Sequence, residues 1–108
     1  MSRLTTAILK GPGIDVTAES KVQHDAGQLL RLEGELPTRP WVAEFAAAGD
    51  DVIVPGHTMV PDELNCVEIP DILLEDGRTI YAYIVSAPET NRTTYCRVTI
   101  HVARRPSY

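Results

Sequence analysis

The chain predicts an all-β sandwich, and three observations carry that expectation. Apolar residues alternate with polar ones at a period of two, the spacing of a strand with one buried face. Clusters of Gly, Pro, Asn and Asp interrupt the alternation roughly every 8–12 residues, as in sandwiches built of short strands. The length, 108 residues, suits one domain and is too short for two ordinary ones. We therefore expect a single domain over residues 1–108, with residues 103–108 as its exit segment.

The strongest element signal lies late in the chain. Arg78 to Val85 alternates cleanly, with Ile80, Ala82 and Ile84 on one face and Tyr81, Tyr83 and Val85 on the other. Asp76-Gly77 precedes it as a turn. Pro88 to Asn91 breaks the run, and a last strand follows from about Thr93 to Ala103. The pair reads as an antiparallel hairpin. Upstream, Leu4–Leu9, Gln28–Glu33, Trp41–Phe45, Asp51–Val54, Thr58–Val60 and Cys66–Ile69 read as further strands. Residues 41–48 tolerate a helix on propensity, but the stretch is short and flanked by strand formers, so strand is the expectation. Trp41 is expected in the core. One helical turn is expected over Pro70–Glu75, with Pro and Asp at its start and Gly77 as its stop.

Composition excludes several classes. Hydrophobic residues make up 44% and charged residues 23%, the balance of a globular chain and not of a disordered tail. No apolar run reaches the roughly 18 residues of a spanning helix. Met1 to Thr6 has no apolar signal-peptide core, so secretion by that route is not expected. The net charge of -5 disfavours phosphate-driven nucleic-acid binding. The distribution is uneven. Eleven carboxylates between Glu33 and Asp76 face a single base, Arg39, whereas no acid follows Glu89 and Arg92, Arg97, Arg104 and Arg105 do. That asymmetry reads as an unevenly charged solvated surface, or as a basic end that meets an acidic surface on another copy or another protein.

Chemistry is sparse. Cys96 belongs to the inward set of the last strand with Val98, Ile100 and Val102, while Cys66 shares the outer face of its strand with Glu68. Two thiols on opposite faces do not pair, so both are expected free, which fits a reducing compartment. His24, His57 and His101 lack metal-ligand spacing, and His101 is expected exposed. The acid pairs sit in turns without calcium-loop spacing, and no nucleophile elbow or phosphate loop occurs. Neither a catalytic residue, a metal nor a cofactor is expected. Tyr81, Tyr83 and Tyr95 remain, on the hairpin face opposite the core. They can anchor a protein contact or stack on a sugar, or they can form cross-strand pairs that stabilise the sheet.

The run Val67 to Val85 followed by Thr93 to Pro106 resembles a small domain of bacteriophage and prophage structural proteins. There the domain stands at the N-terminus of head-fibre, tail-fibre and baseplate chains. Residues 28–34 and 41–45 are similar to two upstream strands of the same family, so the likeness covers roughly Gly27 to Pro106. Ala46, Ala47 and Ala48, together with Cys96 and His101, depart from its pattern. The resemblance implies an immunoglobulin-like antiparallel β-sandwich of roughly 7 to 8 short strands. It implies a non-enzymatic virion protein, assembled in the cytoplasm of a bacterial host. Such a module docks on capsid, tail or baseplate proteins, with self-association open and no nucleic acid or membrane partner. Arg104 and Arg105 with Tyr81, Tyr83 and Tyr95 are then the protein-contact candidates. The alternative is a carbohydrate-binding sandwich that reads a glycan through the tyrosines. Members of the family generally continue past the basic-proline exit, so a chain ending at Tyr108 is either a stand-alone decoration protein or a piece of a longer one.

Overall fold

A computed structural model describes residues 3–23, 25–49 and 57–103. The expected strand Asp51–Val54, His24, and both Arg104 and Arg105 lie outside the described residues. In chain order the elements are β1 (Leu4–Leu9), β2 (Val16–Thr17), β3 (Lys21–Val22), β4 (Leu29–Gly34), β5 (Trp41–Ala47), β6 (Thr58–Met59) and β7 (Cys66–Glu68). A helix α1 (Asp71–Asp76), then β8 (Ile80–Ser86), β9 (Thr93–Ile100) and β10 (Val102–Ala103) complete the described residues. The fold is mostly β, as the alternation requires.

The strands form a three-stranded sheet in the order β1-β4-β7 and a five-stranded sheet in the order β2-β9-β8-β5-β6, with β3 and β10 paired beside them. One core joins the two larger sheets. Ala7 and Leu9, Leu30 and Leu32, and Val67 supply it from the first sheet. Trp41, Phe45, Ile80, Ile84, Val98 and Ile100 supply it from the second. Each of these is at most 1% exposed, so the alternating residues meet in a dry layer. Trp41 is a core residue, as expected, and residues 41–47 are strand and not helix.

The antiparallel hairpin forms as expected, and its register runs from Ile80 opposite Ile100 to Ser86 opposite Thr93. Its ladder shifts between Ile84, opposite Cys96, and Val85, opposite Thr94. Tyr95 is thus the extra residue of a β-bulge on β9. The helical turn is also where the sequence places it. Leu73 and Leu74 are buried, and Gly77 ends the helix in the left-handed region with its N–H donating to the Leu74 carbonyl at 3.3 Å.

Two expectations are corrected. The pairing is not antiparallel throughout: β1 runs parallel to β4, β2 to β9, and β3 to β10. After β1 the chain crosses to the β9 edge of the other sheet, lays β2 along β9 and β3 along β10, and only then returns as β4. That detour brings β4 back beside β1 in the same direction. The last strand is also not continuous to Ala103. It breaks at exposed His101, whose carbonyl accepts the Lys21 N–H at 2.9 Å, and resumes as β10. Gly34 makes the closing turn of β4 possible: its φ is +87°, and a Cβ there would stand 2.5 Å from the Leu9 carbonyl oxygen.

Candidate functional site: the outer face of the five-stranded sheet

Strand pairing places the candidate tyrosines in rows. Glu44 of β5, Tyr83 of β8 and Arg97 of β9 stand side by side, and Ala46, Tyr81 and Thr99 form the next row. Val42, Val85 and Thr94 form a third. Because side chains alternate, and because the bulge sets Thr94 opposite Val85, all of these lie on the face opposite the core. Tyr81 and Tyr83 meet edge to face, with ring centroids 6.3 Å apart and planes at 63°.

Charge covers this face. The Arg97 guanidinium lies over the Tyr81 ring, its central carbon 4.4 Å from the centroid. The Arg97 backbone N–H donates to Asp15 Oδ1 at 2.9 Å, and its side chain stands 3.9 Å from the same carboxylate. Arg92, in the loop between β8 and β9, forms an ion pair with Glu44. Beneath this layer Val85 is 1% exposed and Val42 is 9%. Two of the arginines in the acid-free C-terminal stretch therefore meet carboxylates of their own chain.

Tyr95 does not join the aromatic pair, and this corrects its grouping with Tyr81 and Tyr83. The bulge turns it toward the core, against which it packs, and its hydroxyl donates to the Glu35 carbonyl at 2.7 Å. Loss of water around the ring pushes the Tyr95 hydroxyl above the usual tyrosine range.

The thiols lie as the alternation requires. Cys96 is 2% exposed in the core, Cys66 is half-buried on the outer face of the small sheet, and both are free. Burial pushes the Cys96 thiol up to about 11, and burial with the nearby Asp62 carboxylate raises that of Cys66. Asp62 is held below the usual carboxylate range by the backbone N–H groups of Cys66 and Leu64, which donate to its Oδ1 at 3.0 and 2.8 Å.

One buried polar group gave no sequence signal. Lys21 is 5% exposed, and its Nζ donates to the Arg3 carbonyl at 3.0 Å and to Gln28 Oε1 at 2.9 Å. Burial lowers its pKa against the raising fields of Asp25 and Glu19. A lone lysine in a polar stretch has no periodic neighbour to announce it. Here it fastens the starts of β1, β3 and β4 to one another, which is a structural task.

Among the described residues, no group of three or more His, Cys, Asp and Glu is placed to hold a metal ion, and no helix is long and apolar enough to cross a membrane. Compared with models of known families and with curated proteins, the chain matches neither a family model nor a relative.

Proposed function

We propose that this chain is a non-enzymatic phage virion protein, an attachment module of a head, tail or baseplate that acts by docking on other virion proteins. The observation that carries the reading is consecutive order. The segment that resembles phage structural domains folds as strand β7, helix α1, the Gly77 stop, and the β8–β9 hairpin, without insertion. An immunoglobulin-like sandwich is the architecture this reading assigns, and the core shared by the two larger sheets supports it. Arg104 and Arg105 are its basic contact residues. Exposed ion pairs contribute only about 0–1 kcal/mol each, so they set approach and register while apolar burial holds the contact.

The carbohydrate-binding alternative rests on Tyr81 and Tyr83. Stacking on a sugar needs an open ring face, and Arg97 occupies one face of Tyr81. That favours the protein-docking reading. Mass spectrometry of purified particles from the source tests it: this chain, at a fixed copy number, is the expected result. Its absence from particles, with saturable glycan binding that Tyr83→Ala abolishes, would replace docking by glycan recognition.

A further inference from the structure

What a β protein can pair with is decided at its strand edges. The segment of residues 13–18 covers the outer edge of β9: Gly13 N–H donates to the Tyr95 carbonyl, and Ala18 N–H to that of Thr99. β6 and the His57 carbonyl cover part of the outer edge of β5. The edge strands β2, β6 and β7 are only two, two and three residues long. β1 is different. It is six residues long and ends its sheet, and among the described residues no strand pairs with its outer edge.

The sequence does nothing to blunt that edge. Natural sheets protect long edges with lysine, proline or a bulge. Leu4-Thr5-Thr6-Ala7-Ile8-Leu9 carries no charge, no proline and no glycine, and its register with β4 is unbroken.

The hydrogen-bond pattern says which groups are offered. Leu29 N–H donates to the Arg3 carbonyl at 2.8 Å, and Glu35 N–H to the Leu9 carbonyl at 2.9 Å. In a parallel ladder alternate residues turn both backbone groups to the neighbouring strand. The odd-numbered residues of β1 therefore face β4, and Thr6 and Ile8 turn their N–H and C=O groups outward. Ile8 is also 60% exposed, a large apolar side chain beside those groups.

We propose that β1 pairs antiparallel with β1 of a second copy through the backbone groups of Thr6 and Ile8, joining two three-stranded sheets into one. A two-fold axis at Ala7 sets Thr6 of each copy opposite Ile8 of the other, the positions that exchange both N–H···O bonds. The two β-branched side chains then lie together on the outer face. Arg3 and Lys10, the charges flanking the strand, fall opposite Gly11 and Leu4 and not opposite each other. The strand is self-complementary in hydrogen bonding and free of like-charge opposition, which is what a second copy needs. This pairing is independent of the virion reading and stands or falls apart from it.

Sedimentation velocity of the full chain over a concentration series tests it, together with amide exchange at Thr6 and Ile8. A concentration-dependent dimer is expected, in which those two amides slow as the dimer forms. Ile8→Lys should weaken association by about tenfold or more, with the melting temperature of the dilute protein unchanged. Thr6→Pro should do the same, because the N–H it removes points away from β4. If Thr6→Pro does not fold, Ile8→Lys carries the test alone. A monomer at every concentration would overturn the proposal and leave the edge to a strand from another protein. A dimer that Ile8→Lys leaves at wild-type strength would overturn it equally.

Discussion

The guanidinium of Arg97 covers the ring of Tyr81 diagonally across two neighbouring strands, its central carbon 4.4 Å from the ring centroid. Directly opposite Arg97 stands Tyr83, and opposite Tyr81 stands Thr99. The arginine thus leans along the sheet to reach the ring. A cation over an exposed ring contributes about 0.5–1 kcal/mol. A double-mutant cycle with Tyr81→Leu and Arg97→Met should return a coupling energy of about that size. Additive losses would show that the two side chains are merely adjacent.

Ile84 and Ile100 are fully buried between the sheets. Truncating either to alanine should cost about 2–5 kcal/mol in denaturant unfolding, the range for cavities left by large aliphatic side chains. Glu89 and Thr90 are exposed in the loop of the hairpin. Their substitution should stay within about 0.5 kcal/mol. Wild-type stability in Ile84→Ala would contradict the facing of the hairpin.

The two thiols should separate in a kinetic labelling experiment. Cys66 is half-buried and Cys96 is 2% exposed. A maleimide or disulfide reagent should modify Cys66 in the native protein, more slowly than a free cysteine because its thiol pKa is raised. Cys96 should react only at the rate of unfolding. Equal native rates for the two would mean that the β9 core face opens without global unfolding.

Alkaline pH should destabilise the protein through Cys96. The thiol ionises near 9 when unfolded and at about 11 when folded, so between those values the native state holds a proton that the unfolded chain has released. Stability is complete below about pH 9 and falls as pH rises toward 11, by roughly 2–3 kcal/mol at the far end. Cys96→Ala should flatten that part of the profile, apart from its constant cavity cost. Parallel profiles for wild type and variant would place the alkaline loss elsewhere.

The legible parts of this fold were those with a period. β8 and β9 show alternation over seven and eight residues, and their antiparallel pairing follows from it. α1 announced itself by Pro70, Asp71 and Gly77, each suited to its place at a helix end. β2, β3 and β10 are two residues each, too short for any period, and they exist only because Ala18, Lys21 and Gln23 find carbonyls on the last strand. The bulge at Tyr95 was hidden for the opposite reason. The alternation of Cys96, Val98 and Ile100 continues undisturbed beyond it, so nothing in the pattern marks the one residue that turns inward. The aromatic face was legible as Tyr81 and Tyr83, whereas its arginine cover required knowing which strands are neighbours.

The parallel seam between residues 16–23 and 98–103 has a consequence for the order of events during synthesis. A ribosome delivers β2 and β3 well before β9 and β10, the strands they need. Until then β2 and β3 have no ladder to join, and closing so distant a pairing carries a high loop entropy. β9 and β10 must be in place before residues 16–23 have a strand to join. The nascent chain can therefore pair β1 with β4 well before, but it should keep residues 16–23 unpaired until β9 and β10 have emerged. That is the interval in which it would be most dependent on a chaperone.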